Sequence, residues 1–172
     1  RVLDLGTGSG CVLISVLAHA LDARGLGVDI SAGALRLARQ NAHLHNVRDR
    51  IGLRKGSWFS RVSGRFDIIV SNPPYIARGE IDHLATEVRA HDPRRALDGG
   101  PDGLDAYRHI CSAAPVYLEG GGHLLVEIGF DQAQAVSALM RTQGFENLSV
   151  NKDLEGRARV VRGQIKKTKK GV

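Results

Sequence analysis

Two short stretches combine residue types and spacings that suit group-transfer chemistry. The first, Asp4-Leu5-Gly6-Thr7-Gly8-Ser9-Gly10, joins an apolar run to a segment of helical period. Glycines at alternate positions let the backbone turn tightly and bring its N–H groups close to a ligand. They do so at the carboxyl end of a strand, where open α/β sheets bind ligands. Asp29 ends the next apolar run, 19 residues after Gly10. A carboxylate there can accept hydrogen bonds from both hydroxyls of an adenosine ribose. A dinucleotide would call for G-x-G-x-x-G, with its pyrophosphate on the helix N-terminus. Here the spacing is G-x-G-x-G, and Asp4 would repel a pyrophosphate while suiting the ammonium of an amino acid. The expected cofactor is therefore S-adenosyl-L-methionine, bound by Asp4, Gly6, Thr7, Gly8, Ser9, Gly10 and Asp29. Trp58, the only tryptophan, follows the third apolar run, where its face could stack on adenine or close the edge of the core.

The second stretch is Asn72-Pro73-Pro74-Tyr75. An amide or exocyclic amine nitrogen is a poor nucleophile because its lone pair is delocalised, and no protein side chain is basic enough to deprotonate it beforehand. A protein can instead accept both N–H hydrogens and hold the nitrogen in line with the methyl donor. The Asn72 side-chain carbonyl and the Pro73 backbone carbonyl are the expected acceptors, Asn72 reaching the cofactor as well. Pro74 stiffens the unit, and Tyr75 offers a flat face to a planar group. Asn72, Pro73 and Tyr75 are thus the expected catalytic residues, and Asn72–Tyr75 the expected substrate-binding segment. The alternative is a strand-ending turn without chemistry, and the position of these residues downstream of a methyl-donor loop weighs against it.

The elements that must position these groups read as a parallel sheet covered by helices. Strands are expected at Arg1–Leu5, Gly25–Asp29, Ile51–Lys55, Phe66–Ser71 and His123–Ile128, with an antiparallel pair at Asn147–Asn151 and Ala158–Gly163. Helices are expected at Cys11–Ala23, with apolar positions Val12, Val16 and Leu17 and with Leu13, Ala20 and Leu21 beside them, and from a Ser31 cap to about Leu44, with Leu35, Ala38 and Ala42 inside. Leu104–Leu118, which Pro115 could interrupt, and Gln132–Gln143 complete the helices. The prolines at 73 and 74 end the central strand. The long stretch from Ile76 to about Gly103 has little periodicity, as a functional loop or lid would.

At these residues the chain resembles the release-factor glutamine N5-methyltransferase (HemK/PrmC) family. The likeness spans about residues 1–164 and takes in Val2–Gly10, Trp58-Phe59 and Ser71–Ile76. It continues through Ala96–Gly100, Asp102–Leu104, Glu127–Gly129, Gln132, Asp153-Leu154, Gly156 and Arg159–Val161. The Asn-Pro-Pro-Tyr element is shared with DNA adenine methyltransferases, and the later elements favour the glutamine enzymes. The resemblance implies an α/β, Rossmann-like class I methyltransferase with a seven-stranded mixed sheet in the order 3-2-1-4-5-7-6. It also implies a substrate glutamine in the Gly-Gly-Gln motif of peptide chain release factors, and a helical N-terminal substrate-binding domain that these residues lack. The chain departs from the family at Ser57 (usually Asp), Asp92 (usually Glu), Glu119 (often Pro) and Ala158 (often polar).

Composition bounds what remains. The 172 residues suit one domain, expected as a catalytic unit over 1–164 with a basic, disordered tail over 165–172. Of 24 lysines and arginines, Lys166, Lys167, Lys169 and Lys170 lie in that tail, and setting them aside leaves 20 basic against 18 acidic residues. A near-neutral body argues against a nucleic-acid partner. Cys11 and Cys111 read as ordinary thiols, and the scattered histidines and the Asp98–Asp105 stretch fit no metal pattern. His91 and Asp92 fall in the lid, where either could touch substrate. Glu127 could orient the Asn72 loop or answer a nearby cation. A cytoplasmic monomer is expected. An organelle stays open, because the chain begins directly on a strand and an upstream segment is expected. Two other functions remain in view, a DNA or RNA adenine N6-methyltransferase and a cofactor-binding module without turnover.

Overall fold

The computed structural model describes residues 1–83 and 93–167. His91, Asp92, Lys169 and Lys170 lie outside them. The sheet is built from β1 (Val2–Leu5), β2 (Gly25–Asp29), β3 (Ile51–Lys55), β4 (Phe66–Ser71), β5 (Leu118–Glu127), β6 (Phe145–Lys152) and β7 (Ala158–Ile165). Its order is β3-β2-β1-β4-β5-β7-β6, as expected. Strands β1 to β5 pair in parallel, and β7 runs antiparallel to both β5 and β6. The helices described are α1 (Cys11–His19), α2 (Ala32–Leu44), the short α3 (Arg94–Leu97), α4 (Asp105–Tyr117) and α5 (Ala133–Thr142).

β1 is buried along its whole length because helices cover both faces of the sheet. On one face Leu13, Ile14 and Leu17 of α1 and Ala42 of α2 pack with Val2. On the other, Tyr107, Ile110 and Ala114 of α4 and Val136 and Met140 of α5 pack with Leu3, Leu5, Ile69 and Leu124. α2 follows its sequence closely: Ser31 Oγ accepts the Ala34 amide at 3.3 Å, and Leu35, Ala38 and Ala42 are buried.

Several boundaries differ from expectation, among them both ends of β6, which runs over Phe145–Lys152 where Asn147–Asn151 was expected. α1 ends at His19, not Ala23, because Ala20 is already extended and the chain turns back to enter β2 at Gly25. Its inner face is correspondingly Leu13, Ile14 and Leu17, while Val12 and Leu21 are exposed. α4 runs through Pro115 to Tyr117. The proline sits in the last turn, where the lost N–H bond interrupts little of the remaining ladder. β5 starts five residues early, at Leu118, because its Gly120–Gly122 run falls at a register shift between the pairs Phe66–Leu118 and Ile68–His123. β7 extends to Ile165, which pairs with Phe145, so any tail begins after residue 165.

Registry sets up the site. Leu5 pairs with Val28 on one side and Ser71 on the other, which brings Gly6, Asp29 and Asn72 to one edge of the sheet. Ser71 Oγ donates to the Leu5 carbonyl at 2.7 Å and ties the ends of β4 and β1 together.

Candidate active site

Above that edge lies a cavity of about 410 Å³. Among the expected residues, Gly6, Gly8, Asp29, Trp58, Asn72 and Pro74 line it. Asp4, Thr7, Ser9, Gly10, Pro73 and Tyr75 do not. Each has another place in the structure.

The glycine loop takes positive φ at Gly6 (70°), Gly8 (55°) and Gly10 (81°), a region that side-chain-bearing residues rarely adopt. Gly6 and Thr7 donate their amides to the Val28 carbonyl at 2.8 and 3.0 Å, and Asn41 Nδ2 donates to the Ser9 carbonyl at 3.0 Å. Gly10 answers to packing: a Cβ there would lie 2.8 Å from Ile14 Cδ1 and 3.2 Å from Ala38 Cβ. The Asp29 carboxylate accepts the Gly8 amide at 2.9 Å through Oδ2 and the Ser31 amide at 2.7 Å through Oδ1. Two fixed donors hold it at the cavity wall, each oxygen with a lone pair to spare.

Asp4 lies behind the loop, 3% exposed, and accepts the Thr7 hydroxyl at 2.7 Å. Burial pushes its pKa up to about 6, against the lowering effect of the Thr7 bond. Its role in this structure is to brace the loop from beneath. Trp58 adopts φ 47°, packs against the core as a residue closing its edge would, and also lines the cavity. Ser57, one of the noted departures from the resembled family, also lines the cavity.

Asn72 is exposed at the end of β4, and among the described residues its side chain has no hydrogen-bond partner. Pro73 is buried, and Tyr75 is half-buried against the core. The segment after β4 is held by several bonds. Ile76 donates to the Leu97 carbonyl at 3.1 Å, and Gly99 donates to the Ile76 carbonyl at 2.9 Å. The glycines at 99 and 103 allow this close approach: a Cβ on Gly99 would lie 2.9 Å from the Pro74 carbonyl, and one on Gly103 would run into the Tyr75 carbonyl. Part of the stretch read as a lid is thus a backbone scaffold for Pro74–Ile76.

The acids near this scaffold are answered by arginines. Asp98 accepts the Gly100 amide and Arg78 Nε, which together hold its carboxyl below the usual range. Arg108 bridges Asp102 and Asp105. Glu127 faces Arg159 at 3.9 Å, in keeping with the answering-charge reading. Cys111 is buried, its thiol pushed up to about 12 by burial, and Cys11 is exposed. Among the described residues no group of three metal-ligating side chains comes together, and no helix is long and apolar enough to cross a membrane.

The site residues expected from sequence did not include Val28, Ile30, Ser31, Ala34, Gly56, Pro93, Arg95 and Ala96, which also line the cavity. Ser31 and Ala34 could have been found from the cap that follows Asp29. Pro93, Arg95 and Ala96 reach the cavity only through tertiary contact and carry no local signal.

A family model described as methyltransferase small domain matches residues 1–101. The chain belongs to this family. The matched span of the methyltransferase domain contains the glycine loop, Asp29, Trp58 and Asn72–Tyr75. Two proteins named release factor glutamine methyltransferase are similar to it. The one from Cereibacter sphaeroides is 48% identical over 95% of this chain, and the one from Caulobacter vibrioides is 50% identical over 94%. The domain spans 59% and 56% of their respective lengths. The fold is shared with a methyltransferase from Pyrococcus furiosus, at TM-score 0.73 and 19% identity over 97% of this chain and 75% of that one. It is also shared with an RNA methyltransferase from Salinibacter ruber solved with S-adenosyl-L-homocysteine, at TM-score 0.62 and 18% identity over 99% of this chain and 84% of that one.

Proposed function

We propose that this domain transfers a methyl group from S-adenosyl-L-methionine to the side-chain amide nitrogen of the glutamine in the Gly-Gly-Gln motif of peptide chain release factors. The observation that carries the reading is the meeting of Gly6, Gly8, Asp29, Trp58 and Asn72 around one cavity. The relatives named release factor glutamine methyltransferase, matched along almost the whole domain, direct it to glutamine.

The residues present fit the cofactor. Asp29 offers a carboxylate already fixed by two amides, suited to the paired hydroxyls of a ribose. Trp58 offers a flat apolar wall to an adenine, with the Ser57 hydroxyl beside it. The bound cofactor supplies an electrophilic methyl on a cationic sulfur. The domain's own work is to align the acceptor nitrogen with that methyl. The Asn72 side-chain carbonyl, free of partners among the described residues, accepts one N–H of the substrate amide. The Pro73 carbonyl, between the cavity-lining Asn72 and Pro74 though not itself among the lining residues, is the proposed acceptor of the other, and the proton displaced from nitrogen leaves to water. Both carbonyls also stabilise positive charge developing on that nitrogen.

The test is to incubate the domain with radiolabelled methyl donor and, separately, a release factor, its Gln→Ala tip variant, and duplex DNA. Label on the release factor alone is the expected result. Label on DNA but not on the release factor would replace this reading with adenine methylation. Cofactor binding without label on either would reduce the domain to a binding module.

A further inference from the structure

Gln132 stands just before α5, outside the cavity, yet its side-chain amide joins three separate segments. Its Nε2 donates to the Tyr75 carbonyl at 2.9 Å and to the Gly103 carbonyl at 3.3 Å. Its Oε1 accepts the Gly129 amide at 3.0 Å and lies 3.4 Å from the Tyr107 hydroxyl, which donates to the Glu127 carbonyl at 2.8 Å. Burial raises the Tyr107 phenol well above its ordinary pKa, so the hydroxyl stays a donor. The amide therefore has one orientation that works, with nitrogen toward the two carbonyls and oxygen toward the Gly129 N–H.

We infer that Gln132 is a positioning residue, which holds the Asn72–Tyr75 acceptor segment in register by anchoring it at the Tyr75 carbonyl. The inference rests on the function proposed above. Tyr75 is two residues beyond the Pro73 carbonyl, and the intervening Pro74 has a ring-locked φ. Fixing the Tyr75 carbonyl therefore limits how far the Pro73 carbonyl can swing. Gly103, close enough that a Cβ would lie 2.7 Å from Gln132 Nε2, keeps the other side of the anchor open.

Two substitutions separate the two ends of the amide. Gln132→Met keeps the length and removes every hydrogen bond of the side chain. Gln132→Glu keeps an acceptor for the Gly129 amide and sets an oxygen against the Tyr75 and Gly103 carbonyls. Both should lower kcat for release factor by about ten- to a hundredfold, as small misplacements of reacting groups do. Cofactor Kd should stay within about twofold of the parent, since Gln132 does not line the cavity. Amide hydrogen exchange, which needs no turnover, should speed up about tenfold at Ile76 and Gly99 in both variants, and at Gly129 only in the Met variant. Unchanged exchange at Ile76 and Gly99 would overturn the inference, and so would parental kcat in both variants. A fall in kcat matched by equal loss of cofactor affinity and melting temperature would make the role purely structural, and would overturn it too. Should the parent domain leave release factor unlabelled, the proposed substrate fails, while the exchange rates still decide whether Gln132 holds the segment.

Discussion

The Asp29 carboxylate accepts the Gly8 amide at 2.9 Å and so fastens the glycine loop to the end of β2. The residue expected to hold a ribose is therefore also a strut of the loop it faces. Asp29→Ala should remove both functions and weaken cofactor binding by about 2–4 kcal/mol, more than a single lost neutral hydrogen bond. Asp29→Asn keeps one acceptor and should fall between the two. Calorimetric titration of the three proteins reads the order directly, and equal affinities would remove Asp29 from the cofactor site.

Asn72→Ala deletes the exposed acceptor at the end of β4 and leaves the loop around Gly6 and Gly8 intact. Turnover should fall by about 3–4 kcal/mol in the chemical step, the scale seen when one preorganised group is lost from a charge-stabilising site. Cofactor affinity should persist in large part, because Asp29 and Trp58 remain. Single-turnover methylation with saturating cofactor measures the step itself. Near-parental rates would leave the Asn72 carbonyl without an acceptor role.

Asp4 imposes a pH dependence on stability. Burial raises its pKa from 3.8 to about 6, so the folded state holds this proton more tightly than the unfolded chain. Its contribution to stability therefore falls as pH rises from about 4 to 6, and stays at its lowest above that window. Asp4→Asn, which can still accept the Thr7 hydroxyl, should stabilise the domain by about 1–3 kcal/mol at pH 7.5 and hardly at all near pH 4. Urea unfolding of both proteins at the two pH values tests the sign. A variant less stable than the parent at pH 7.5 would show that the charged form is favoured in the fold.

Two glycines should respond to alanine in opposite directions. Gly103, at φ 75° and pressed on the Tyr75 carbonyl, should lose about 1–3 kcal/mol of stability and disturb turnover as well. Gly33 lies within α2 and meets no atom closer than Ser31 Oγ at 3.7 Å, so Gly33→Ala should gain about 0.5–1 kcal/mol. Thermal melts of the two variants against the parent separate strained glycine from merely flexible glycine.

What could be read from the sequence was what depends on local chemistry. Ser31 before an apolar stripe marks a helix start, two prolines after Ser71 mark a strand end, and both stand where expected. The five parallel strands were legible because each is a short apolar run bounded by breakers. The end of α1 was not, since Ala20–Ala23 suits a helix and only the return to β2 unwinds it. The start of β5 was hidden by glycines that weaken any strand pattern. Asp4 could be picked out as an acid beside a glycine loop, but not as a group buried beneath it. Gln132 and Arg95 lie far along the chain from the residues they meet. Their places follow from packing, and no spacing announces them.

The three strand ends that carry Gly6, Asp29 and Asn72 are joined through the pairing of Leu5 with Val28 and Ser71. No contiguous peptide from this chain holds the site without also folding much of the sheet. A ligand that touches all three ends is consequently a cross-link between distant parts of the chain, and its binding free energy is added to that of folding. At a hundredfold excess over Kd, such a ligand should raise the unfolding free energy by about 2.7 kcal/mol, so a melting curve can count occupancy of the cavity before any methyl group has moved.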